Sequence, residues 1–467
     1  MTAIDNTITK YLAGYAEESI PSPPPDRQWD VCVVIPVYAE PAAFLHRLRS
    51  LQRSASSILV ITVINRPDSD PDTAVNQPLR SALNEMQLKA NLGRGCEIRS
   101  MATGLDLLVI DSEVRSGPSP RKQGVGLARK LGCDIALGWH AAGSIASPWL
   151  YSSDADAQWP DDYFLKIPNA SVARGAVTFP FIHAAAETLQ TDRNNEASCL
   201  LYELRLHHYV LGLAYAGSPY AFHTLGSCLA VHALDYAAVR GFPRRPAGED
   251  FYLLNKVAKL GGVHTLDGQA IRLSARVSNR VPFGTGPAVA ALLTELEATN
   301  ALVSVSSAPS KHSALLALSN FYHPACFEAL KALLAECREL ANETAATANP
   351  TRLAATLPAN LADPTIAALV EMGFEDAIAH CHRQSADSTA YLQHLYQWLD
   401  GFRTLKFVHA IRAAGFADVS LNTLKNLQPN LLSLRPDQPV DVEQTLGHIR
   451  RQLGWQSTRH IGATHQA

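Results

Sequence analysis

The sequence predicts an α/β protein in which a mostly parallel sheet carries helices on both faces and is followed by an α-helical C-terminal region. Up to about residue 290, short apolar runs alternate with segments of helical periodicity, a pattern typical of parallel sheets with crossover helices. Beyond that point Ala- and Leu-rich helical segments dominate. Hydrophobic residues make up 47% and charged residues 18% of the 467 residues, as in folded globular proteins. We therefore expect an N-terminal segment or linker over 1–27, an α/β domain over 28–290 and a helical region over 291–467.

Five apolar runs in the first half are predicted to be strands. The first is continuously apolar, which indicates a strand covered on both faces of the sheet. The runs cover residues 30–38, 57–65 and 105–110, the stretch that ends before Asp154, and residues 176–182. Residues 41–51 and 126–137 have helical spacing, and the proline-rich residues 21–25 are expected to form an extended linker.

The second half contains five segments with helical periodicity. They cover residues 288–301, 312–318, 326–341, 364–382 and 391–414. An apolar stripe along the last segment indicates ordinary core or a docking surface. The stripe consists of Tyr391, Leu395, Trp398, Phe402, Leu405 and Phe407 or Val408. Residues 342–358, rich in Ala, Thr and Asn, are predicted to form a loop, and the helical half is either separate from the first half or folded against it.

Charge and cysteine content argue against several classes of protein. The formal net charge of −3 gives no broad electrostatic basis for binding nucleic acid or acidic membranes. No apolar run approaches the length of a transmembrane helix, and residues 1–19 lack the apolar core of a signal peptide. The eight cysteines are scattered without a Cys-x-x-Cys pair, as expected for reduced, mostly buried thiols. We therefore predict a cytoplasmic protein and leave peripheral membrane attachment and homo-oligomerisation open.

The most informative motif is the pair Asp154 and Asp156, which follows the fourth predicted strand. Two carboxylates one residue apart at an irregular strand end can reach one hard divalent cation, directly or through water. Mg²⁺ or Mn²⁺ bound in this way keeps coordination positions for the phosphate oxygens of a substrate. An isolated Asp-x-Asp is common in solvated loops, so the neighbouring motifs decide its interpretation.

Polar residues also follow the first two predicted strands. Pro36, Tyr38 and Glu40 leave the first strand, and Asn65 leaves the second with Asp68 close behind. Ligands of α/β sheets gather at the carboxyl ends of the strands. These residues are therefore candidates for the same site as the Asp-x-Asp pair.

A basic stretch with two glycines leads into the helix predicted over 126–137. Backbone N–H groups and the helix dipole at such a position favour an anion. Arg121 and Lys122 would add positive charge there. The alternative is a solvated basic turn.

A second acidic motif, Gly248-Glu249-Asp250, precedes an apolar helical pattern. Acidic residues are favoured at helix N-termini, so capping is one explanation for them. A carboxylate at a helix start that faces a cleft can instead take a proton from a hydroxyl nucleophile.

Taken in order, these motifs resemble the family 2 glycosyltransferases, which have the GT-A fold, the Rossmann-like fold of nucleotide-diphospho-sugar transferases. The similarity covers about residues 28–275 and includes the small-residue segment 226–231 between the two acidic motifs. It rests on the order and spacing of the motifs together. The helical C-terminal region is not covered by it.

The resemblance implies an inverting hexosyltransferase that moves a sugar from a nucleotide-diphospho-sugar to a small-molecule, saccharide or lipid-linked acceptor. Asp154 and Asp156 match the pair that binds Mn²⁺ or Mg²⁺ on the donor diphosphate. Asp250 matches the base that deprotonates the acceptor hydroxyl, and Glu249 is a weaker candidate for that role. The positions that match residues bordering the nucleotide are Pro36, Tyr38, Glu40, Asn65, Arg121, Lys122 and Asp154.

The chain departs from the family pattern in three places. The family usually has Asp-Asp-x-Ser after the second strand, whereas this chain has Asn65-Arg66-Pro67-Asp68, so either Asn65 or Asp68 substitutes near the nucleobase. A strand-like segment over 105–111 is added before the basic helix. The Gln-x-x-Arg-Trp motif of processive polysaccharide synthases is not apparent.

Two other functions stay open. A nucleotidyltransferase, or another sugar-nucleotide enzyme on a similar sheet, would carry a Gly-rich, Lys-containing signature after the first strand, which residues 36–41 do not supply. A non-catalytic binding protein would use its helical half to engage a partner, and the joint presence of Asp154, Asp156 and Asp250 argues against it. The loop over 276–287 either closes over phosphates, using Arg276 or Arg280, or is a plain turn between domains.

Overall fold

The computed structural model describes residues 3–17, 20–184, 193–275, 280, 284–303, 317–342, 350–435 and 437–456. The chain divides into two compact units, and neither unit is continuous in sequence. The first unit takes residues 1–196, 224–290 and 450–467. The second unit takes residues 197–223 and 291–449.

The first unit is built on a central nine-stranded sheet. Its strands, with those of the small sheets, are β1 (Val31–Val37), β2 (Ile58–Ile64), β3 (Leu88–Gly93), β4 (Cys96–Ala102), β5 (Leu105–Asp111), β6 (Trp149–Ser152), β7 (Ala176–Thr178), β8 (Phe181–Ala184), β9 (Leu229–His232), β10 (Val263–Thr265), β11 (Gly268–Gln269) and β12 (Ile271–Ser274). The order in the central sheet is β10-β7-β9-β6-β1-β2-β5-β4-β3. The neighbouring strands β6, β1, β2 and β5 are parallel, which confirms the predicted α/β fold with a largely parallel sheet.

Helices of very different length accompany this sheet along the chain. They are α1 (Ala3–Gly14), α2 (Phe44–Leu48), α3 (Gln77–Asn84), α4 (Ser112–Ser116), α5 (Gly124–Ala141), α6 (Lys166–Ala170), α7 (Arg193–Ala216), α8 (Ala233–Ala238) and α9 (Glu249–Val257). The helix α7 belongs to the second unit from residue 197 onward. The helix predicted over 126–137 is confirmed as part of α5, which packs against β1 and β2.

The central strands form because apolar, largely β-branched residues occupy nearly every position. All of β2 and all of β5 is buried, as expected for strands covered on both faces. The third predicted strand is confirmed as β5, which lies beside β2 in parallel. The sheet therefore buries its most apolar strands at its centre.

Several strands depart from the sequence-based expectation. The antiparallel strands β3 and β4 precede β5 at the sheet edge, and β9 is antiparallel to both β6 and β7. The edge strand β3 alternates apolar and polar residues, but none of its residues is buried and its first residue, Leu88, is 48% exposed, so the strand lies outside the core. The single strand predicted over 176–182 is two strands, because the chain leaves the sheet after β7 and β8 pairs with β12 instead.

The segment before the first strand contains α1, which packs against α5 and α8. Its Tyr11 is 1% exposed and donates a hydrogen bond to Asp134 at 2.6 Å. The ammonium group of Lys130 donates to the Tyr11 hydroxyl at 2.5 Å, and the Tyr236 hydroxyl donates to the Asp134 carboxylate at 2.8 Å. Because buried charges require such partners, this cluster anchors α1 to the first unit.

The second unit is helical and contains one short antiparallel strand pair. The helices and strands from residue 285 onward are α10 (Thr285–Val303), α11 (Pro324–Leu340), α12 (Pro350–Ala354), α13 (Ala359–Glu371), α14 (Phe374–Gln384), α15 (Ser388–Trp398), α16 (Gly401–Ala413), α17 (Leu421–Leu427) and α18 (Val442–Gln452), with β13 (Ser319–Phe321) and β14 (Val419–Ser420). Residues 291–449 of these belong to the second unit, whose hydrophobic core includes the fully buried Leu330, Leu369 and Phe407. The strand β15 (Trp455–Gln456) belongs to the first unit and pairs there with β11.

The apolar stripe predicted from 391 onward is confirmed as core, with Tyr391 and Leu395 buried, although Phe402 is 39% exposed. The helices predicted over 364–382 and 391–414 are each two helices. The first break lies at Gly373, whose φ of 72° is left-handed. The loop predicted over 342–358 contains the short helix α12, and its residues 343–349 lie outside the described part of the chain, as does most of the helix predicted over 312–318.

Two expectations from composition concern the chain as a whole. All eight cysteines are buried free thiols, as predicted. Among the described residues, no helix combines the length and apolar character that crossing a membrane requires.

Candidate functional site

Three strand ends meet at the carboxyl edge of the central sheet. The strand β1 lies between β6 and β2, and all three run parallel. Val34 of β1 is level with Ser152, and Val37 is level with Ile64. The Ser153 backbone N–H continues this register by donating to the Val34 carbonyl at 3.0 Å. The loops that follow these strands therefore lie side by side.

Arg129 of α5 joins two of the predicted carboxylates in one cluster. Its Nη2 lies 2.6 Å from Asp154 Oδ1, and its Nε lies 2.8 Å from Glu249 Oε1. Its Nη1 donates to the Ser152 hydroxyl at 2.7 Å and to the Ser153 carbonyl at 3.1 Å. The side chains of Arg129 and Glu249 are 4% and 5% exposed, whereas that of Asp154 is 40% exposed. The buried guanidinium therefore connects the end of β6 to the start of α9.

The small-residue segment that begins at Gly226 packs against this cluster. The Ser152 hydroxyl donates to the Gly226 carbonyl at 2.8 Å, and the Ser153 hydroxyl donates to the Ser227 carbonyl at 3.1 Å. A Cβ atom at Gly226 would lie 2.7 Å from Arg129 Nη2. Glycine is therefore required here because the guanidinium occupies the space that a side chain would fill.

Asp250 lies in the first turn of α9, which begins after Gly248 in a left-handed conformation with φ of 70°. Its carboxylate accepts a hydrogen bond from the Phe251 backbone N–H at 2.7 Å and another from the Gly226 backbone. Burial, together with the charge of the adjacent Glu249, raises the pKa of Asp250 to about 7. A carboxyl group with this pKa is suited to accept a proton near neutral pH.

Glu249 differs from Asp250 although the two are adjacent. Its side chain is nearly inaccessible and is held in an ion pair by Arg129. A buried carboxylate that is already paired with a guanidinium is a poor proton acceptor for an incoming hydroxyl. The geometry thus gives the two acids different partners, an ion pair with Arg129 for Glu249 and backbone N–H groups for Asp250.

Asp154 and Asp156 are both partly exposed beyond the end of β6. Between them, the Ala155 carbonyl accepts a hydrogen bond from Arg47 Nη2 at 2.6 Å, which fixes the loop. Across the part of the chain that the structure describes, no three His, Cys, Asp or Glu side chains are grouped so as to hold a metal. Mg²⁺ is commonly bound by one or two carboxylates when substrate phosphates supply further ligands. The pair fits a cation shared with a phosphate group better than a metal held by the protein alone.

Asn65 follows β2 and is 5% exposed. Its side-chain Oδ1 is buried and has no hydrogen-bond partner among the described residues. Asn76, itself 1% exposed, donates to the Asn65 carbonyl and accepts the Ala39 N–H, both at 3.0 Å, so the ends of β1 and β2 are locked together. Because an unpaired buried acceptor is costly, Asn65 is suited to a ligand that presents a hydrogen-bond donor.

Asp68 binds the basic stretch before α5. Its Oδ1 accepts the backbone N–H of Arg121 at 2.9 Å. The side chains of Arg121 and Lys122 are exposed. The two basic residues therefore lie directly beside the loop that follows β2, and Asp68 Oδ1 is occupied by the hydrogen bond from Arg121.

Pro36, Tyr38 and Glu40, which the sequence analysis places after the first strand, have different environments in the structure. The Tyr38 hydroxyl donates to Asp70 at 2.7 Å, and the buried Glu40 forms an ion pair with Arg280. The Arg280 guanidinium also donates to the Tyr38 carbonyl at 3.0 Å. Pro36 lies inside β1 and not in the following loop, because the strand continues to residue 37.

The two glycines in the first turn of α5, Gly124 and Gly126, contact the loop that leads into α9. The Gly126 backbone N–H donates to the Arg245 carbonyl at 2.9 Å. A Cβ atom at Gly126 would lie 2.4 Å from the Pro243 carbonyl oxygen, and one at Gly124 would lie 2.9 Å from Pro246 Cα. These glycines admit the loop that leads into α9, and the Gly126 N–H is not available to an anion.

Arg129 is the main site residue that sequence reasoning misses. It lies within the basic motif that carries the resemblance, but nothing in the sequence analysis gives it a role. The signal in the sequence is an arginine among the apolar residues of a helix that covers the sheet. An arginine is buried at such a position only together with acidic partners, and the motifs at 154–156 and 249–250 were the partners that the sequence offered.

No protein-family profile and no curated protein matches the chain. Among solved structures, it is similar to the mannosyltransferase PcManGT from Pyrobaculum calidifontis in complex with GDP-Man and Mn²⁺, at 16% identity and a TM-score of 0.32, over 85% of this chain and 98% of that one. It is also similar to S. aureus TarS 1–349 in complex with UDP-GlcNAc, at 11% identity and a TM-score of 0.30, over 91% of this chain and 90% of that one. Likeness at this level establishes neither a family nor a function.

Proposed function

We propose that the chain is a metal-dependent, inverting glycosyltransferase of the family 2, GT-A type, which transfers a sugar from a nucleotide-diphospho-sugar to an acceptor hydroxyl. The observation that carries this proposal is the Arg129 cluster. In it, Arg129 binds both Asp154, at the end of β6, and Glu249, the neighbour of Asp250. The proposed reaction needs carboxylates that hold a divalent cation against the leaving diphosphate, and a base with a pKa near neutral to deprotonate the acceptor.

The donor is proposed to lie across the carboxyl ends of three adjacent strands. Asn65 after β2 is assigned to the nucleobase, because its buried Oδ1 calls for a donor group. Asp154 and Asp156 after β6 are assigned to the diphosphate side. The end of β1, with Arg280 and Glu40, lies between them.

Four further residues have supporting roles in this proposal. Arg121 and Lys122 are exposed beside the loop after β2 and add positive charge where an anionic donor approaches. Tyr38, fixed by Asp70, borders the nucleotide from the end of β1. Pro36 acts only through the backbone of that strand.

The reaction is proposed to be a single displacement. The acceptor hydroxyl gives its proton to Asp250 as its oxygen attacks the anomeric carbon, and the bond from that carbon to the diphosphate oxygen breaks. A divalent cation at Asp154 and Asp156 would neutralise the charge that develops on the leaving nucleoside diphosphate. One displacement inverts the anomeric centre, and Glu249 remains paired with Arg129 throughout.

The proposal is tested by screening UDP-, GDP- and dTDP-sugars for binding and hydrolysis with Mn²⁺ or Mg²⁺. We expect one nucleotide class to bind in a metal-dependent way and the anomeric configuration of the transferred sugar to be inverted, as read by NMR. Retained configuration would rule out the single displacement. Metal-independent binding of the donor would rule out the role given to the acidic pair.

Two variants separate the donor side from the acceptor side. Asp156→Ala is expected to abolish metal-dependent donor binding. Asp250→Asn is expected to keep donor binding and lose transfer. Asp161→Ala is the matched control, because Asp161 follows in the same loop but forms only an exposed pair with Arg53.

A further inference from the structure

We propose that Arg129 acts as an internal cation on Asp154, so that the Asp154/Asp156 pair takes up a divalent cation only together with a nucleoside diphosphate. This inference rests on the proposed function and concerns whether the metal ion binds before the nucleotide or together with it. It makes Arg129 a positioning residue that acts on the donor side through Asp154.

The first step is the position of the positive charge. Arg129 Nη2 lies 2.6 Å from Asp154 Oδ1, so one oxygen of the predicted ligand is already bound to a cation. The Asp154 side chain is still 40% exposed, which leaves it accessible from solvent. A metal ion that binds there approaches a fixed positive charge of the protein.

The second step is that Arg129 is held in place. Glu249 binds its Nε, and the Ser152 hydroxyl and the Ser153 carbonyl bind its Nη1. Gly226 packs so closely on Nη2 that even a Cβ atom there would lie 2.7 Å away. With its side chain 4% exposed, the guanidinium has no solvent to move into when a second cation arrives.

The third step is the charge balance of the site. Glu249 offsets the charge of Arg129, but the guanidinium still occupies Asp154 Oδ1, so a divalent cation bound to Asp154 would share this carboxylate with a fixed positive charge. Like charges at such distances repel strongly where solvent is largely excluded. A bound diphosphate would compensate for this repulsion, because it brings negative charge and oxygen ligands to the cation from the solvent side.

The test is a titration of the full chain with Mn²⁺, in which unbound Mn²⁺ is followed by electron paramagnetic resonance. With UDP or GDP present, we expect Mn²⁺ to bind at least about tenfold more tightly than to the protein alone, after correction for Mn²⁺ bound by the nucleotide itself. Equal affinity with and without diphosphate, lost in Asp156→Ala, would overturn this inference and leave the proposed function standing. No binding under either condition would overturn both.

The charge-neutral double variant Arg129→Met/Glu249→Gln removes the internal cation without changing the net charge of the site. We expect it to bind Mn²⁺ in the absence of nucleotide about tenfold more tightly than the parent. Unchanged affinity in a double variant that unfolds at the parent's temperature would overturn the inference.

Glu249→Gln alone keeps the test decisive if the double variant does not fold. It removes one of the two carboxylates that share Arg129, so the guanidinium pairs with Asp154 more strongly and Mn²⁺ affinity falls several-fold. Asp161→Asn removes one charge from the loop after β6 and serves as the charge control. A rise in affinity, or a fall no larger than in Asp161→Asn, would overturn the inference.

Discussion

Arg280 forms an ion pair with Glu40 at the end of β1, the strand that lies between β6 and β2. A hydrogen bond of 3.0 Å to the Tyr38 carbonyl fixes the guanidinium at that strand end. A ligand that reaches from Asn65 on one side to Asp154 on the other crosses this position. Under the proposed function, the anionic part of the donor would therefore pass close to the Arg280 guanidinium, which Glu40 neutralises in the free protein.

Arg280→Ala is expected to weaken the binding of UDP or GDP at least about tenfold, because a hydrogen bond to a charged group contributes about 1.5–3 kcal/mol. The affinity for the corresponding nucleosides should change little, since they carry no phosphate. Isothermal titration calorimetry measures both. Arg53→Ala, which breaks only an exposed pair with Asp161, is the control and should bind like the parent. Equal losses for nucleoside and diphosphate would place Arg280 away from the phosphates.

Asn65→Ala is expected to give the opposite pattern. The variant loses the buried Oδ1 that is proposed to accept a hydrogen bond from the nucleobase, so nucleosides and nucleoside diphosphates should both bind about five- to tenfold more weakly. The affinity of the variant for pyrophosphate with Mn²⁺ should equal that of the parent. Asn91→Ala in the edge strand β3 is the control. A loss confined to the phosphate ligands would contradict the base-side assignment.

The central strands were predictable because each is a continuous apolar run, and burial on both faces of a parallel sheet selects that pattern. The edge hairpin was not predicted, because β3 is a short alternating run with no buried residue and its pairing with β4 decides where it lies. The same holds for the division of the predicted strand over 176–182. A pairing with a distant segment, β12, decides where β8 lies, and local sequence does not contain that information.

At the site, sequence reasoning placed the acids at strand and helix ends, and the resemblance ranked Asp250 above Glu249 without giving a physical reason. The structure gives the two acids different partners, because Arg129 binds Glu249 and backbone N–H groups bind Asp250. The contact between Arg129 and Glu249 joins positions 120 residues apart. The glycines at 124 and 126 show the same limit, since their pattern fits an anion-binding loop until the backbone of residues 243–246 is found against them.

The pH dependence of transfer should follow Asp250. Because burial and Glu249 raise its pKa to about 7, the base is protonated in acid and the rate constant kcat/KM should rise through an inflection near pH 7. A steady-state profile from pH 5 to 9 measures this. A value of kcat/KM that is already constant from pH 5 upward, as expected for a base with the usual carboxyl pKa near 4, would contradict the assignment.

The raised pKa of Asp250 should also make the stability of the folded protein depend on pH in a defined direction. The folded protein holds the Asp250 proton up to about pH 7, whereas the unfolded chain releases it near pH 4, so ionisation opposes folding. Its contribution is therefore most favourable below about pH 4 and declines as the pH rises to about 7. Asp250→Asn cannot ionise, and its thermal midpoint should fall less than that of the parent over this window. A parallel decline in both proteins would show that Asp250 is not responsible.

Gly226→Ala should disturb the site and the fold together. The added Cβ would lie 2.7 Å from Arg129 Nη2, and Arg129 can move away only by straining its bonds with Glu249 and Ser152, which hold it from other directions. Overpacking of this kind costs about 1–3 kcal/mol, measurable by urea unfolding, and the displaced guanidinium should reduce donor turnover as well. Gly14→Ala is the control, because a Cβ there meets no atom within 4 Å and its stability should stay within about 0.5 kcal/mol of the parent. Unchanged stability and turnover in Gly226→Ala would show that Arg129 has room to move, which would weaken the rigidity on which its role as a fixed cation depends.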